Sequence, residues 1–347
     1  MSSSPLLAAI RRLATGESLS RDEAADAFRV VMRGDGTPAQ VSALLMGLRV
    51  KGETPDELAG VATALREAMT VLPADAPEML VDTCGTGGGT LTTFNISTAA
   101  ALLAAGAGVR VAKHGNRSFT SRSGSADVLE ALGVRIDIPV DRMRQVLDDA
   151  GIVFMFAPTM HPAMRHVGPV RRDLAIQTVM NLVGPLANPA RAGRQVIGVA
   201  DPRRLGLIGG ALQALGTTHS LIVHGAPGLD EISPLGSTMV LELIDGEARS
   251  WNVDPDRIGV SPVQAHDLAG AEPIENARIV EDVLGGRGRP GASAAVTLNA
   301  AGAIYVGGLA RDFHAALEMA RDALRDGVGQ EALARLRSAS ARAAAKG

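Results

Sequence analysis

Residues 82–98 read DTCGTGGGTLTTFNIST, with glycines at 85, 87, 88 and 89. A short apolar run leads into this stretch and another, 98–103, leads out, so the loop joins an expected strand to an expected helix. A tight turn needs one or two glycines. Four let a backbone approach a ligand closely, and the free N–H groups of a helix start attract anions. A phosphate or pyrophosphate is the expected occupant, with residues 95–97 expected to cap the helix. A plain strand-to-helix turn is the competing reading. The loop is neither a phosphate-binding Walker loop, since no Lys-Ser/Thr follows the last glycine, nor a dinucleotide fingerprint, since the spacing differs.

The next strand end carries KHGNRSFTSRSGSAD, 113–127. Here Lys113, His114, Asn116 and Arg117 are expected to follow the strand directly, before Ser118, Thr120, Ser121, Ser123 and Ser125. Cations and hydroxyls in one loop suit phosphate oxygens. Ser123 or Ser125 is expected to cap the helix that follows. Beyond the third strand, Arg171 or Arg172 offers a fork for a carboxylate, with surface pairing as the alternative. The segment HGAPGLDEISP places Asp230 and Glu231 side by side, hard oxygen ligands of the kind that bridge Mg²⁺ to substrate phosphates. An acidic dipeptide is also a common surface feature. No Ser-His-Asp or Cys-His arrangement advertises a covalent nucleophile, so no catalytic side chain is assigned.

Positioning these groups requires strands that end near one another. Candidate strands are 79–81, 109–112, 152–156, 196–200, 220–224 and 239–243, mostly separated by helical patterns. That alternation predicts a mostly parallel sheet wrapped by helices, with ligands at the carboxyl ends of the strands. Ahead of it, Ser20 and Glu23, Thr37 and Gln40, and Thr54 and Glu57 fit capping boxes, and Pro38 and Pro55 sit at first helical positions. A small all-helical domain is expected over 1–73, joined by helices from about 162–190. A linker is expected over 70–77, then an α/β domain over 78–340, with a fraying surface helix over 332–347.

Composition narrows the function. Of 347 residues, 46% are hydrophobic and only 2% aromatic, so the core is aliphatic and base stacking is a poor binding mode. A net charge of −3 provides no basic field for nucleic acid. Cys84 stands alone, which excludes an intramolecular disulfide and a thiolate zinc site. The first twenty residues read as no secretory signal, and a cytoplasmic protein is expected.

Taken together, the blocks GTGGGTLTTFNIST, KHGNRSFTSRSGSADVLEALG, HPAMRHVGPVRRDL with VGPLANP, GLDE and NAAGAIY resemble the anthranilate phosphoribosyltransferase family, to about residue 330. The KHGNR block is the most specific. The resemblance implies a nucleoside phosphorylase/phosphoribosyltransferase-like fold, a homodimer and a hinged cleft. The cleft would take 5-phosphoribosyl 1-pyrophosphate (PRPP), Mg²⁺ and anthranilate, in tryptophan biosynthesis. It implies PRPP contacts at Gly85, Gly88, Gly89, Thr93, Asn95, Ile96, Ser97, Thr98, Lys113, His114, Gly115, Asn116, Arg117, Ser118, Ser121 and Ser125. It implies anthranilate contacts at Gly85, Asn116 and Arg171, and metal positions at Ser97, Asp230 and Glu231. The chain departs from the family at Gly89 and Thr90, where Asp-Gly is usual, and at Gln177 and Met180, where Arg and Phe are frequent. The first change removes a carboxylate from the diphosphate loop. The second is expected to alter packing between the domains. Rival readings are a pyrimidine nucleoside phosphorylase, whose glycine loop fits less well, and a nucleic-acid-binding relative, which should be basic.

Overall fold

The computed structural model describes residues 4–118, 122–260 and 262–345. Four helices come first: α1 (Pro5–Ala14), α2 (Arg21–Arg33), α3 (Pro38–Lys51) and α4 (Pro55–Ala68). All three expected capping boxes close. Ser20 Oγ accepts from Glu23 N at 3.2 Å while Glu23 Oε2 accepts from Ser20 N at 2.8 Å, and Thr37/Gln40 and Thr54/Glu57 repeat the pattern. Glu57 is fully buried because it does more than cap: it also accepts from Leu19 N at 2.9 Å and from Lys51 Nζ at 2.9 Å.

The remainder alternates β1 (Val81–Gly85), α5 (Ile96–Gly106), β2 (Val111–Gly115), α6 (Ser125–Ala131), α7 (Val140–Ala150) and β3 (Ile152–Phe156). Short helices α8 (Ala157–Met160), α9 (Gly168–Leu174) and α10 (Val179–Leu182) lead to β4 (Arg194–Gly198), α11 (Leu205–Leu215), β5 (His219–Gly225), β6 (Thr238–Ile244) and β7 (Glu247–Val253). Helices α12 (Pro273–Leu284), α13 (Pro290–Val306), α14 (Phe313–Arg325) and α15 (Val328–Ala344) close the chain. The strand order is β3-β2-β1-β4-β5-β6-β7, parallel from β3 to β5 and antiparallel through β6 and β7. Among the described residues no helix is long and apolar enough to cross a membrane.

Several expectations need correction. β1 begins at Val81 because Pro77–Met79 forms a 3-10 turn, and β2 runs on to Gly115, so Lys113 and His114 lie within the strand. β7 was not expected: only Trp251 and Val253 of it are even partly withdrawn from solvent, so no apolar run marks it. Its signal was the Asp245-Gly246 turn, with φ of 52° and 84°, which suits a two-residue hairpin. The expected linker is pinned, with Thr70 N donating to Met160 O at 2.8 Å and Leu72 buried. The expected fraying helix, α15, buries Ala332, Leu333, Leu336 and Ala339 in the main core.

Two apolar clusters sit on the two faces of the sheet. One gathers α5, α7 and α12–α15. The other joins α1–α4 to Val167, Val170, Val179, Met180 and Leu186, and to Ile197, Ile208 and Ile222 of the sheet and α11. The antiparallel edge is tied by Glu242, fully buried, which accepts from His219 Nε2 (2.8 Å), Arg249 Nε (2.8 Å), Trp251 Nε1 (2.7 Å) and Tyr305 Oη (2.8 Å). Burial alone would raise this carboxyl, but the four donors hold it down to about 2. A depressed carboxyl contributes stability above its unfolded pKa, near 4.5, and loses it as pH falls toward 2. We expect Glu242→Gln to lower Tm at pH 7, with the gap to the parent narrowing steadily between pH 4.5 and pH 2; a gap independent of pH would exclude the charge as its source.

Candidate active site

The carboxyl ends of β1, β2, β4 and β5 converge, and the GLDE loop after β5 folds back across them. This approach requires strand ends without side chains. A Cβ at Gly198 would lie 1.6 Å from Asp230 O, and one at Gly85 would lie 2.7 Å from Asp230 Oδ2. Asp230 Oδ2 accepts from Gly87 N at 3.0 Å. The glycine cluster thus admits a carboxylate of the chain itself. Gly88 and Gly89 continue the loop, and Thr90 staples it to the acidic segment, its N–H donating to Gly228 O at 3.0 Å and its hydroxyl to Pro227 O at 3.2 Å. A Cβ at Gly89 would meet Asp230 Oδ1 at 3.2 Å, so the missing family carboxylate is missing beside Asp230.

The expected cap of α5 is not made by Asn95. Its Oδ1 accepts from Ser123 Oγ (3.1 Å) and Asn276 Nδ2 (3.0 Å), which ties three segments together. The free N–H of Ser97 instead donates to Glu231 Oε1 at 3.2 Å. Nor do Ser123 and Ser125 cap α6: Gly124 occupies the cap position, and Asp127 accepts from its N–H at 2.9 Å and from Ser118 N at 3.1 Å. Thr93 bridges to Ala269. Ile96 sends its side chain into the core, and its N–H is taken by Phe94 O, so it offers the cleft no side chain. Thr98 is buried, and its hydroxyl lacks a partner among the described residues.

Lys113 is buried within β2. Its Nζ donates to Thr83 O, to Thr83 Oγ1 at 3.3 Å and to Ser97 Oγ at 3.4 Å. Burial lowers its pKa, against the pull of Asp82, Cys84 and Glu231. Behind it Asp82, fully buried, accepts from Asn188 Nδ2 (2.7 Å) and His114 N (3.2 Å). Arg117 departs from expectation. Its guanidinium is engaged by Asp127 at 3.0 Å and by Glu130, both on α6, so it is held to that helix. Ser125 Oγ donates to Asn116 O at 3.3 Å. Ser121 lies outside the described residues.

Asp230 and Glu231 both carry raised pKa values. Burial is the main cause for each, and for Glu231 the neighbouring Asp230 adds to it, opposed by Lys113 and the Ser97 N–H. A helix N-terminus contributes about 0.3–1 kcal/mol to a nearby anion. Desolvating a carboxylate costs several kcal/mol. The pair is therefore under-compensated by protein alone, and a hard cation fits it. Among the described residues no third His, Cys, Asp or Glu joins the group, so such a cation would complete its shell with Ser97 Oγ, water and ligand oxygens.

At the same strand ends opens a cavity of about 550 Å³, lined by Gly85, His114, Gly115, Asn116, His161, Arg171 and Met180 among others. The His114 and His161 rings lie 4.9 Å apart. Burial, then His161, takes His114 down to about 3, and burial takes His161 to about 4, so both are neutral at pH 7. Arg171 is half-buried, its pKa lowered by burial, and no carboxylate pairs with it among the described residues. Arg172, by contrast, is exposed. Met180, where the family often has Phe, lines this cavity and is buried in the helical cluster; Gln177 is exposed.

Residues 7–69 match the helical bundle domain of the glycosyl transferase family, and residues 77–330 match its a/b domain. The anthranilate phosphoribosyltransferase of Rubrobacter xylanophilus is 45% identical over 339 residues, 98% of each chain. The chain belongs to the anthranilate phosphoribosyltransferase family. The crystal structure of the Thermus thermophilus member superposes with a TM-score of 0.90 at 39% identity, covering 96% of this chain and 99% of that one. That of the Saccharomyces cerevisiae member in complex with PRPP and Mg gives 0.88 at 26% identity, covering 98% and 99%.

Sequence reasoning missed the asparagines that hold the site. Asn188 fixes Asp82, Asn276 fixes Asn95, and Asn299 on α13 clamps the acidic loop, donating to Ile232 O and accepting from Ile232 N, both at 2.9 Å. The NAAGAIY block contained the last of these, but nothing local to it names a partner 67 residues away. We expect Asn299→Ala to cost about 2–4 kcal/mol, since two buried backbone groups lose their partner. Urea unfolding checks this, and a loss under about 1 kcal/mol would mean the loop is held otherwise.

Proposed function

We propose that this chain transfers the phosphoribosyl group of PRPP to the amine of anthranilate, giving N-(5-phosphoribosyl)anthranilate and pyrophosphate, a step of tryptophan biosynthesis. One observation carries the reading. Lys113, the α5 N-terminus and the Asp230–Glu231 pair are drawn together through Ser97, and Gly85, which abuts Asp230, also lines a cavity that holds Arg171, a cation with no carboxylate partner among the described residues. Two anions of different shape thus have separate anchors on one strand end.

The diphosphate is assigned to the loop of Gly85, Gly88 and Gly89, to Thr93, Asn95, Ser97 and Thr98, and to Lys113, with Gly115, Asn116, Ser118 and Ser125 bordering the ribosyl moiety. Asp230, Glu231 and Ser97 would hold Mg²⁺, which when bound neutralises charge on the departing pyrophosphate. Lys113, poised on Ser97 Oγ, adds a fixed positive charge on the same side. Positive charge develops at the anomeric carbon as its bond to pyrophosphate breaks. The anthranilate amine attacks that carbon and then loses its proton. Arg171 receives the anthranilate carboxylate, with Asn116 and Gly85 beside it, so positioning supplies much of the rate. Neutral His114 and His161 keep that cavity from acquiring further charge.

On the same reading the N-terminal unit spans 1–73 with helices from about 162–190, and the α/β unit spans 78–340. The protein works in the cytoplasm as a homodimer built on the N-terminal helices, where Val50 on α3 is 79% exposed.

The assay is loss of anthranilate fluorescence with PRPP and Mg²⁺. No turnover, with thymidine phosphorolysis in its place, would overturn the assignment. A charge-assisted hydrogen bond contributes roughly 1.5–3 kcal/mol. Arg171→Ala should therefore raise KM for anthranilate about 10- to 100-fold and leave that for PRPP nearly unchanged, with Arg172→Ala close to the parent. Equal effects on both substrates would remove Arg171 from the acceptor site. Asp230→Ala/Glu231→Ala should abolish most activity at limiting Mg²⁺ with the fold intact, and retained metal-dependent turnover would refute the metal role.

A further inference from the structure

Away from the cleft, a second cavity of about 210 Å³ lies on the seam between the N-terminal helices and the α/β unit, lined by Arg21, Thr63, Arg66, Glu67, Arg191 and Leu215. Three guanidinium groups share this small space. Arg66 Nε donates to Leu186 O at 2.7 Å, and Arg21 Nη1 donates to Ala214 O at 2.7 Å. These carbonyls fix two of the side chains without neutralising them. The one lining carboxylate, Glu67, is occupied by Arg29, whose Nε and Nη2 reach it at 2.6 and 2.7 Å. Among the described residues no carboxylate pairs with Arg21, Arg66 or Arg191.

Arg66 registers the crowding: burial, then Arg191 and Arg21, brings its pKa down to about 10. Arg191 is held at φ 53°, in the left-handed region, by a turn in which its N–H donates to Asn188 O at 2.9 Å. A non-glycine residue there costs on the order of 1–3 kcal/mol. The chain thus keeps three like charges together, one of them on an unfavourable backbone, with no acidic partner among the described residues. Planar forks converging on one space complement the oxygens of a compact oxyanion. The cavity is too small for a macromolecular segment.

We propose that this seam cavity binds a multivalent oxyanion of the phosphate class, gripped by Arg21 and Arg66 from the N-terminal helices and by Arg191 from the α/β unit. An occupant ties the two units together across their seam. The inference does not depend on the activity assigned to the cleft.

Inorganic phosphate and pyrophosphate are titrated separately into the full chain, its cleft held by saturating PRPP, by calorimetry at constant ionic strength, and Tm is followed in parallel. The parent should show a binding event that is at least tenfold weaker in Arg191→Gln and absent in Arg191→Glu, while KM for PRPP stays within twofold. Arg191→Glu should also raise Tm in phosphate-free buffer, because it supplies the missing counter-charge; a merely structural arginine would give a fall. Arg191 is exposed, so Arg191→Gln should fold and decides the matter if the reversal does not. Phosphate and pyrophosphate affinities unchanged in Arg191→Gln, or reduced together with PRPP binding, would overturn the proposal.

Discussion

The site rests on one electrostatic constraint: two adjacent carboxylates, Asp230 and Glu231, are partly withdrawn from water against the ends of a parallel sheet. Among the described residues the fold offers them a helix N–H, backbone amides of the glycine loop and of Asp230 itself, and a nearby buried ammonium. These donors do not offset the loss of hydration, as the raised pKa values of both groups show. The arrangement is stable as architecture and unsatisfied as electrostatics. An unsatisfied anionic pair beside a helix N-terminus and an ammonium is what a cation shared between protein and phosphate would complete.

Much else follows from keeping that pair in place. Gly85 and Gly198 must lack side chains, because either Cβ would collide with Asp230. Thr90 must latch the glycine loop to Gly228, since the loop has no regular structure of its own. Asn299 holds the segment just after the pair, and the Glu242 network anchors α13 to the sheet edge through Tyr305. Asn188 and Asp82 fix the strand that carries Lys113. The larger cavity inherits its position from the same strand end, so the two anchors are set by one frame.

The local signals in the sequence were legible. Capping boxes at Ser20, Thr37 and Thr54 report contacts three residues apart, which a sequence displays directly. The alternation of strands and helices marked the class of fold, because burial of both sheet faces leaves short apolar runs. Contacts between distant segments were not legible. Asn95 looked like a helix cap, yet it serves Ser123 and Asn276, and Glu231 takes the helix N–H in its place. Arg117 read as a phosphate ligand by composition, but two carboxylates on α6, ten and thirteen residues on, claim it. β7 escaped because an edge strand need not be apolar, although its Asp-Gly turn was visible. Helix α15 read as a surface tail because its buried face is alanine-rich and its exposed face basic, a mixture that hides its stripe.

The account turns on the claim that the half-buried acidic pair is completed by a cation that the diphosphate also contacts. Calorimetric titration of PRPP into the protein, with and without Mg²⁺ and in buffers of different ionisation enthalpy, measures this directly. Glu231, its carboxyl raised to about 8, holds part of its protons near neutral pH, so joint binding of cation and PRPP should release protons, more of them as pH falls toward 6. The account predicts that Mg²⁺ tightens PRPP binding at least tenfold, and that Asp230→Asn/Glu231→Gln abolishes both the tightening and the proton release. A PRPP affinity indifferent to Mg²⁺, or a proton release that survives in that variant, would contradict it.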